Sequence, residues 1–157
     1  MSHKLDDIDR DILRYLQEDA KLTTKELAGR LHLSPTPVYE RVKRLEQEGV
    51  IRKYVALVDR DKIGKDLMVL CNIRLKEHAR EAGVQFVEAI KGMEEVMECL
   101  NISGDYDFMI KVVVTDMKAY QNFIMNKLAS LDNIGSTQSI FVMSEIKNET
   151  ALRTRIG

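Results

Sequence analysis

Residues 23–50, TTKELAGRLHLSPTPVYERVKRLEQEGV, constrain the chain more than any other stretch. They predict two short helices joined by a tight turn. Thr23 can cap the first helix, and Glu26 follows three residues later, which makes a capping box. Leu27, Ala28 and Leu31 then form one apolar face. His32 and Leu33 make the turn. Ser34 is placed to cap the second helix, with Pro35 at its first position, where no amide donor is needed. Pro37 removes another amide from the first turn, so Ser34 is expected to cap through Thr36.

The second helix divides into two faces. At 100° per residue, Val38, Val42 and Leu45 project within a narrow arc. Thr36, Glu40, Lys43, Arg44 and Gln47 are expected to point the other way, with Arg41 on the flank. Any solvated helix can present such a charged face. The capped preceding helix, the short turn and the basic stretch Arg52-Lys53 after Gly49 favour a more specific reading. A hydroxyl, a carboxylate, an ammonium and a guanidinium on one short helix offer partners to base edges and phosphates in a DNA major groove. The expected DNA-binding residues are Ser34, Thr36, Pro37, Glu40, Arg41, Lys43, Arg44, Arg52 and Lys53. Residues 50–58, rich in β-branched side chains, read as a wing strand leading out of the domain.

The run from Leu33 to Glu46, LSPTPVYERVKRLE, resembles the recognition segment of the leucine-responsive/asparagine-type (Lrp/AsnC, or feast/famine) transcription regulators. The order of elements resembles that family over nearly the whole chain. Gly is frequent there where this chain has His32, a residue that tolerates a left-handed conformation less well than glycine.

The 157 residues suffice for one ordinary domain or two small ones, and 45% hydrophobic with 31% charged residues is a globular balance. No apolar run approaches a membrane span, and the acidic opening MSHKLDDIDRDIL lacks the apolar core of a secretory leader. A cytoplasmic protein with no membrane partner is expected. Net charge is −1, so the molecule is no general polycation. Positive charge is local: Arg41, Lys43, Arg44, Arg52 and Lys53 stand against Glu46 and Glu48. That pattern suits a site-selective DNA binder. Cys71 and Cys99 lack metal-ligand spacing and read as buried free thiols.

In chain order, a first helix over 5–17 is capped by Asp6 or Asp7 and buries Ile8, Ile12, Tyr15 and Leu16 against the helix pair. A polar stretch, 59–66, marks the boundary between an expected domain 1–60 and a second, 61–157. The second domain reads β-α-β-β-α-β: a strand over 67–76, a helix over 78–90, strands over 96–103 and 107–115, a helix opened by Asp116, and a long strand over 134–147. This is the split βαβ order of ferredoxin-like folds, so the class is α+β: a winged helix-turn-helix of three helices, then a ferredoxin-like domain. Strand parity leaves Met68, Leu70, Met109 and Val113 on the sheet face away from the helices. An uncovered apolar face predicts a homodimer packed sheet to sheet. The resemblance implies the same dimer, and further assembly such as an octamer.

Ser103-Gly104-Asp105-Tyr106-Asp107 lies between two predicted strands. Gly-Asp there is a hairpin signal in its own right. The loop amides can also hold a carboxylate while Asp105 or Asp107 pairs with an ammonium, as a free amino acid requires. The resemblance implies that this loop, Tyr106 included, lines an effector site at a subunit interface. It also implies apolar walls from Ile140, Phe141, Val142 and Met143, with Asn101 and Met117 added by position. No enzyme signature appears: His3, His32 and His78 are scattered, and no phosphate-binding glycine loop is present. The acids at 6, 7, 9 and 11 are explained by helix capping and solvation, with no metal or cofactor implied. The chain therefore reads as a regulator of double-stranded operator DNA that responds to an amino acid. An architectural DNA-organising protein without a ligand is the alternative, and an enzyme or enzyme subunit with an amino-acid-binding regulatory module is a more distant one.

Overall fold

Asp6 opens the first helix: its carboxylate accepts the Asp9 amide at 2.8 Å, and Asp9 returns to the Asp6 amide at 3.2 Å. This reciprocal box starts α1 at Asp7–Glu18. The computed structural model describes residues 4–77 and 80–154. His3 and His78 lie outside the described residues. The chain divides into two compact units, one running through Leu57 and taking in the chain from Ile146 onward, the other Val58–Glu145.

In the first unit, Thr23 and Glu26 form the expected capping box and begin α2 at Thr24–Leu31. His32 adopts the left-handed conformation, φ 54°, and the Leu33 amide closes back on the Ala28 carbonyl at 3.0 Å. Helix α3 spans Pro35–Gln47. Ser34 sits at its cap but makes no side-chain cap bond. Of the two amides a cap side chain serves, Pro37 removes one, and the other, at Thr36, does not donate to Ser34. Gly49, φ 71°, ends the helix in a geometry glycine adopts without strain, and Ile51 bonds back to Leu45 at 3.0 Å. Ile12, Leu27, Ala28, Val38 and Leu45 form the core, with Ile8, Tyr15, Leu16 and Val42 packed around it.

Residues 50–58 form no strand, which corrects the expected wing strand. β-branched residues favour extended backbone, but a strand needs a ladder partner, and none pairs with them among the described residues. Leu152 and Thr154, placed by sequence with 61–157, bond to α1. Thr154 Oγ1 donates to the Arg10 carbonyl at 2.8 Å, and the Leu152 amide donates to Gln17 Oε1 at 2.7 Å.

The second unit runs β1 (Leu67–Leu75), α4 (Arg80–Lys91), β2 (Val96–Asn101), β3 (Phe108–Val114), α5 (Met117–Asn122) and β4 (Ile134–Phe141). A π turn over Phe123–Lys127 and a 3-10 turn over Leu128–Ser130 extend α5. The sheet order is β2-β3-β1-β4 with antiparallel pairing throughout. Each helix thus joins two strands that are not neighbours, as in ferredoxin-like folds. Alternation sends Val69, Cys71, Ile73 and Leu75 of β1, and Phe108, Ile110, Val112 and Val114 of β3, into the core with Phe86, Ile90, Tyr120 and Phe123. Strand β4 ends at Phe141, short of the expected 147. It pairs only with β1, whose last bond to it is Val142 N to Met68 O, 3.0 Å. Beyond that point no strand pairs with the chain among the described residues. Cys71 is buried, but Cys99 is exposed because β2 is an edge strand. Among the described residues no helix is long and apolar enough to cross a membrane.

Candidate functional site

Helix α3 rests its keel, Val38 and Leu45, on the first-unit core and leaves Thr36, Pro37, Glu40, Lys43 and Gln47 exposed. Ser34, Arg52 and Lys53 are exposed as well. Tyr39, absent from the sequence-derived set, is half exposed on the same helix, its ring 5.7 Å from Lys43 Nζ. An aromatic residue outside the apolar arc was its only signal.

Arg44 does not join the outward face. Its Nη2 lies 2.6 Å from Asp9 Oδ1, and Arg41 Nη1 lies 2.8 Å from the same oxygen and 2.7 Å from Asp6 Oδ2. Residues 41 and 44 are three apart and share one flank of the helix, so long side chains there can turn back toward α1. Asp9 is 1% exposed. Such a carboxylate is tolerable in the interior only when paired. Burial pushes the Asp6 carboxyl upward, but the Asp9 amide and the Arg41 guanidinium bring it below its ordinary value. Asp6 in turn raises the Arg41 guanidinium. Tyr54 donates to Glu46 at 3.0 Å, and burial together with that carboxylate pushes its phenol up to about 12.

In the second unit the effector candidates fall into two groups. Gly104, φ 108°, turns the chain between β2 and β3, a conformation that favours glycine. Asp107 ties this loop to the far end of β1: its amide donates to Ile73 O at 2.9 Å and its Oδ2 accepts the Leu75 amide at 2.7 Å. Asn101 Nδ2 donates to the Asp107 carbonyl at 2.8 Å. Arg74, on the open sheet face, donates from Nε to the Asp105 carbonyl at 2.6 Å and stands 5.5 Å from the Tyr106 ring. Arg74 was missed by sequence reading, although strand parity places it there. Ile140, Phe141 and Val142 pair instead with the start of β1, at Leu70, Val69 and Met68. Met117 follows β3, whose Val114 also pairs at that end, with Leu67. Ile73 and Val69 are four residues apart in β1, roughly 13 Å. The structure therefore gathers Asn101, Gly104, Asp105, Tyr106 and Asp107 at one end of the sheet. Met117, Ile140, Phe141 and Val142 gather at the other, and one chain does not bring the groups together.

The apolar side of the sheet away from the helices carries Met68, Leu70, Met109 and Val113, partly buried, with Leu100 and Ile140 more than 40% exposed. Asn72 bonds Gln138 at 3.1 Å and Lys111 pairs with Glu98 at 2.7 Å at its polar positions. On the helix side, Tyr120 hydroxyl lies 2.6 Å from Ser139 Oγ, and burial pushes that phenol up to about 12. Burial also raises the Cys71 thiol, so this cluster holds its protons and braces β4.

Comparison with known proteins accounts for both units. Residues 5–52 match the family described as winged helix-turn-helix DNA-binding, and residues 68–152 match the Lrp/AsnC ligand binding domain. The chain is 40% identical over 153 residues to the leucine-responsive regulatory protein of Escherichia coli, covering 96% of this chain and 93% of that one. Its structure is similar to a transcriptional regulator of Neisseria meningitidis solved with L-Met (TM-score 0.90, 34% identity, 95% and 96% of the two chains). It is also similar to an AsnC family regulator of Agrobacterium tumefaciens (TM-score 0.89, 39% identity, 94% and 96%). The chain belongs to the Lrp/AsnC family: it is a transcription regulator with a helix-turn-helix DNA-binding part and an amino-acid ligand-binding domain.

Proposed function

We propose that the exposed surface of α3, through Thr36, Pro37, Glu40 and Lys43 with Ser34 at its start, enters the major groove of double-stranded operator DNA. Arg52 and Lys53 take flanking phosphates, and Arg41 and Arg44 border the surface. A free α-amino acid then binds where two copies meet. The loop around Gly104–Asp107 of one copy, with the Arg74 guanidinium beside it, supplies polar partners. Met117 and Ile140–Val142 of another supply apolar walls. Copies pair through the Met68/Leu70/Met109/Val113 face, with assembly beyond the dimer, such as an octamer, bringing opposite sheet ends together.

The observation that carries this reading is the separation of the two groups along β1, beyond the span of a free amino acid. A ligand touching both must bridge copies, so its binding is linked to assembly. The L-Met held by the similar Neisseria regulator supports the ligand class. A DNA partner places the work in the cytoplasm. Calorimetry with each free amino acid, paired with sedimentation of the full chain and DNA gel shifts, tests it. At least one amino acid should bind and change oligomer size or DNA affinity. No binding at millimolar concentration refutes the sensor reading and favours an architectural role.

A further inference from the structure

The recognition helix carries three cations, Arg41, Lys43 and Arg44, yet two of them are already spent on the protein's own acids. Asp9 Oδ1 receives both guanidinia, at 2.8 Å from Arg41 and 2.6 Å from Arg44, while Asp6 adds a second carboxylate to Arg41 at 2.7 Å. Two carboxylates face two guanidinia, so the cluster is neutral. Lys43 makes a solvent-exposed pair with Glu46, at 3.3 Å, and stands 5.7 Å from the Tyr39 ring. Such exposed pairs are weak and exchange readily with other anions. The Asp9 pairs differ. Asp9 is 1% exposed, and lifting a guanidinium away would leave its carboxylate poorly paired in the interior.

Affinity for DNA of any sequence rises with the number of phosphates a protein neutralises, and so does its salt dependence. A guanidinium held by an internal carboxylate releases few counterions when DNA arrives. We infer that Asp9, assisted by Asp6, is a specificity-determining positioning residue. It withholds Arg41 and Arg44 from the phosphate backbone, suppresses sequence-blind binding, and leaves discrimination to Thr36, Pro37, Glu40 and Lys43 on the exposed surface of α3. This inference rests on the DNA-binding reading of α3.

The test uses the full chain and two variants, Asp9→Asn and Asp6→Ser. Asparagine keeps the shape of Asp9 and drops its charge. Serine at 6 keeps an N-cap oxygen and takes away one of the two carboxylates on Arg41, leaving its 2.8 Å pair with Asp9, and it serves as a milder variant if Asp9→Asn fails to fold. Fluorescence anisotropy measures binding to a random-sequence duplex, and to duplexes enriched by the wild-type protein, over a range of NaCl. On random duplex, Asp9→Asn should bind several-fold more tightly at low salt, and Asp6→Ser more tightly by a smaller factor. The slope of log K against log salt should steepen by about 0.9 per released guanidinium. The ratio of enriched to random affinity should fall, and adding Arg44→Met to Asp9→Asn should return the slope toward the wild-type value. Slopes equal to or shallower than wild type overturn the inference while the DNA reading stands. Failure of the wild-type chain to bind any duplex at low salt overturns both. A purely structural staple between α1 and α3 would lower the unfolding midpoint and leave the slope unmoved.

Discussion

Asp107 Oδ2 accepts the Leu75 amide at 2.7 Å, so the last acid of the loop before β3 is also the fastener for the end of β1. The same carboxylate is the proposed partner for the effector ammonium, so this residue would serve both structure and sensing.

Two substitutions separate the roles. Asp107→Ala should lose effector binding and lower stability by about 1–3 kcal/mol, the cost of stranding a partly buried amide. Asp107→Asn keeps an oxygen for Leu75 but no charge, so urea unfolding should stay near wild type while calorimetry shows effector affinity lost. Retained affinity in Asp107→Asn would remove Asp107 from the site.

On α3, neighbouring cations should behave differently. Lys43→Ala is expected to weaken DNA binding, reduce its salt dependence and leave the urea midpoint unchanged. Arg44→Ala should destabilise the first unit by about 1–3 kcal/mol, because Asp9 keeps Arg41 but loses a 2.6 Å partner. Equal unfolding curves for the two variants would contradict the ion-pair geometry.

The open sheet face predicts its own disruption. Met109→Glu places a carboxylate between Asn72 and Leu100, its ladder neighbours, where a covering copy would have to desolvate it. Sedimentation of the full chain should shift toward monomer while circular dichroism is unchanged. An unaltered oligomer would show that copies meet elsewhere.

Acid should loosen both units. Burial opposes ionisation of Asp6 and Glu95, but the Asp9 amide and Arg41 for the first, and Lys127 for the second, hold both folded carboxyls below their ordinary values of 3.8 and 4.5. A depressed folded pKa adds stability that is complete above the ordinary value and disappears as pH falls through the folded one. Urea midpoints should therefore drop below about pH 4.5, in the range where free carboxylates protonate. Glu95→Gln should flatten that drop, read from the second unit's unfolding.

His32 is the one described non-glycine residue with positive φ, 54°. Glycine there avoids the left-handed penalty, and His32→Gly should stabilise the first unit by about 1 kcal/mol. A lower thermal midpoint would mean that the imidazole contributes more than its backbone costs.

Features set by neighbours along the chain are legible in the sequence alone. The box of Thr23 with Glu26, the cap at Asp6, the proline-led start of α3 and the alternation of β1 and β3 all depend on residues a few positions apart. The order β-α-β-β-α-β follows from those periods. Loss of the Ser34 cap bond shows the limit of such reading, since local spacing permits a bond that the backbone does not make.

Contacts that cross between elements are decided only by the tertiary structure. Helical angles place Arg44 on the outward face with Lys43, but the packing of α1 against α3 puts a buried carboxylate within its reach and turns it back. Sequence marks two groups of effector residues without their distance. Antiparallel pairing with β1 sends Asp107 to one end of the sheet and Phe141 to the other. The exposure of Cys99 and the end of β4 at Phe141 have the same origin: a strand is finished or covered by its partner, and a partner's position is a property of the fold, not of the neighbouring residues.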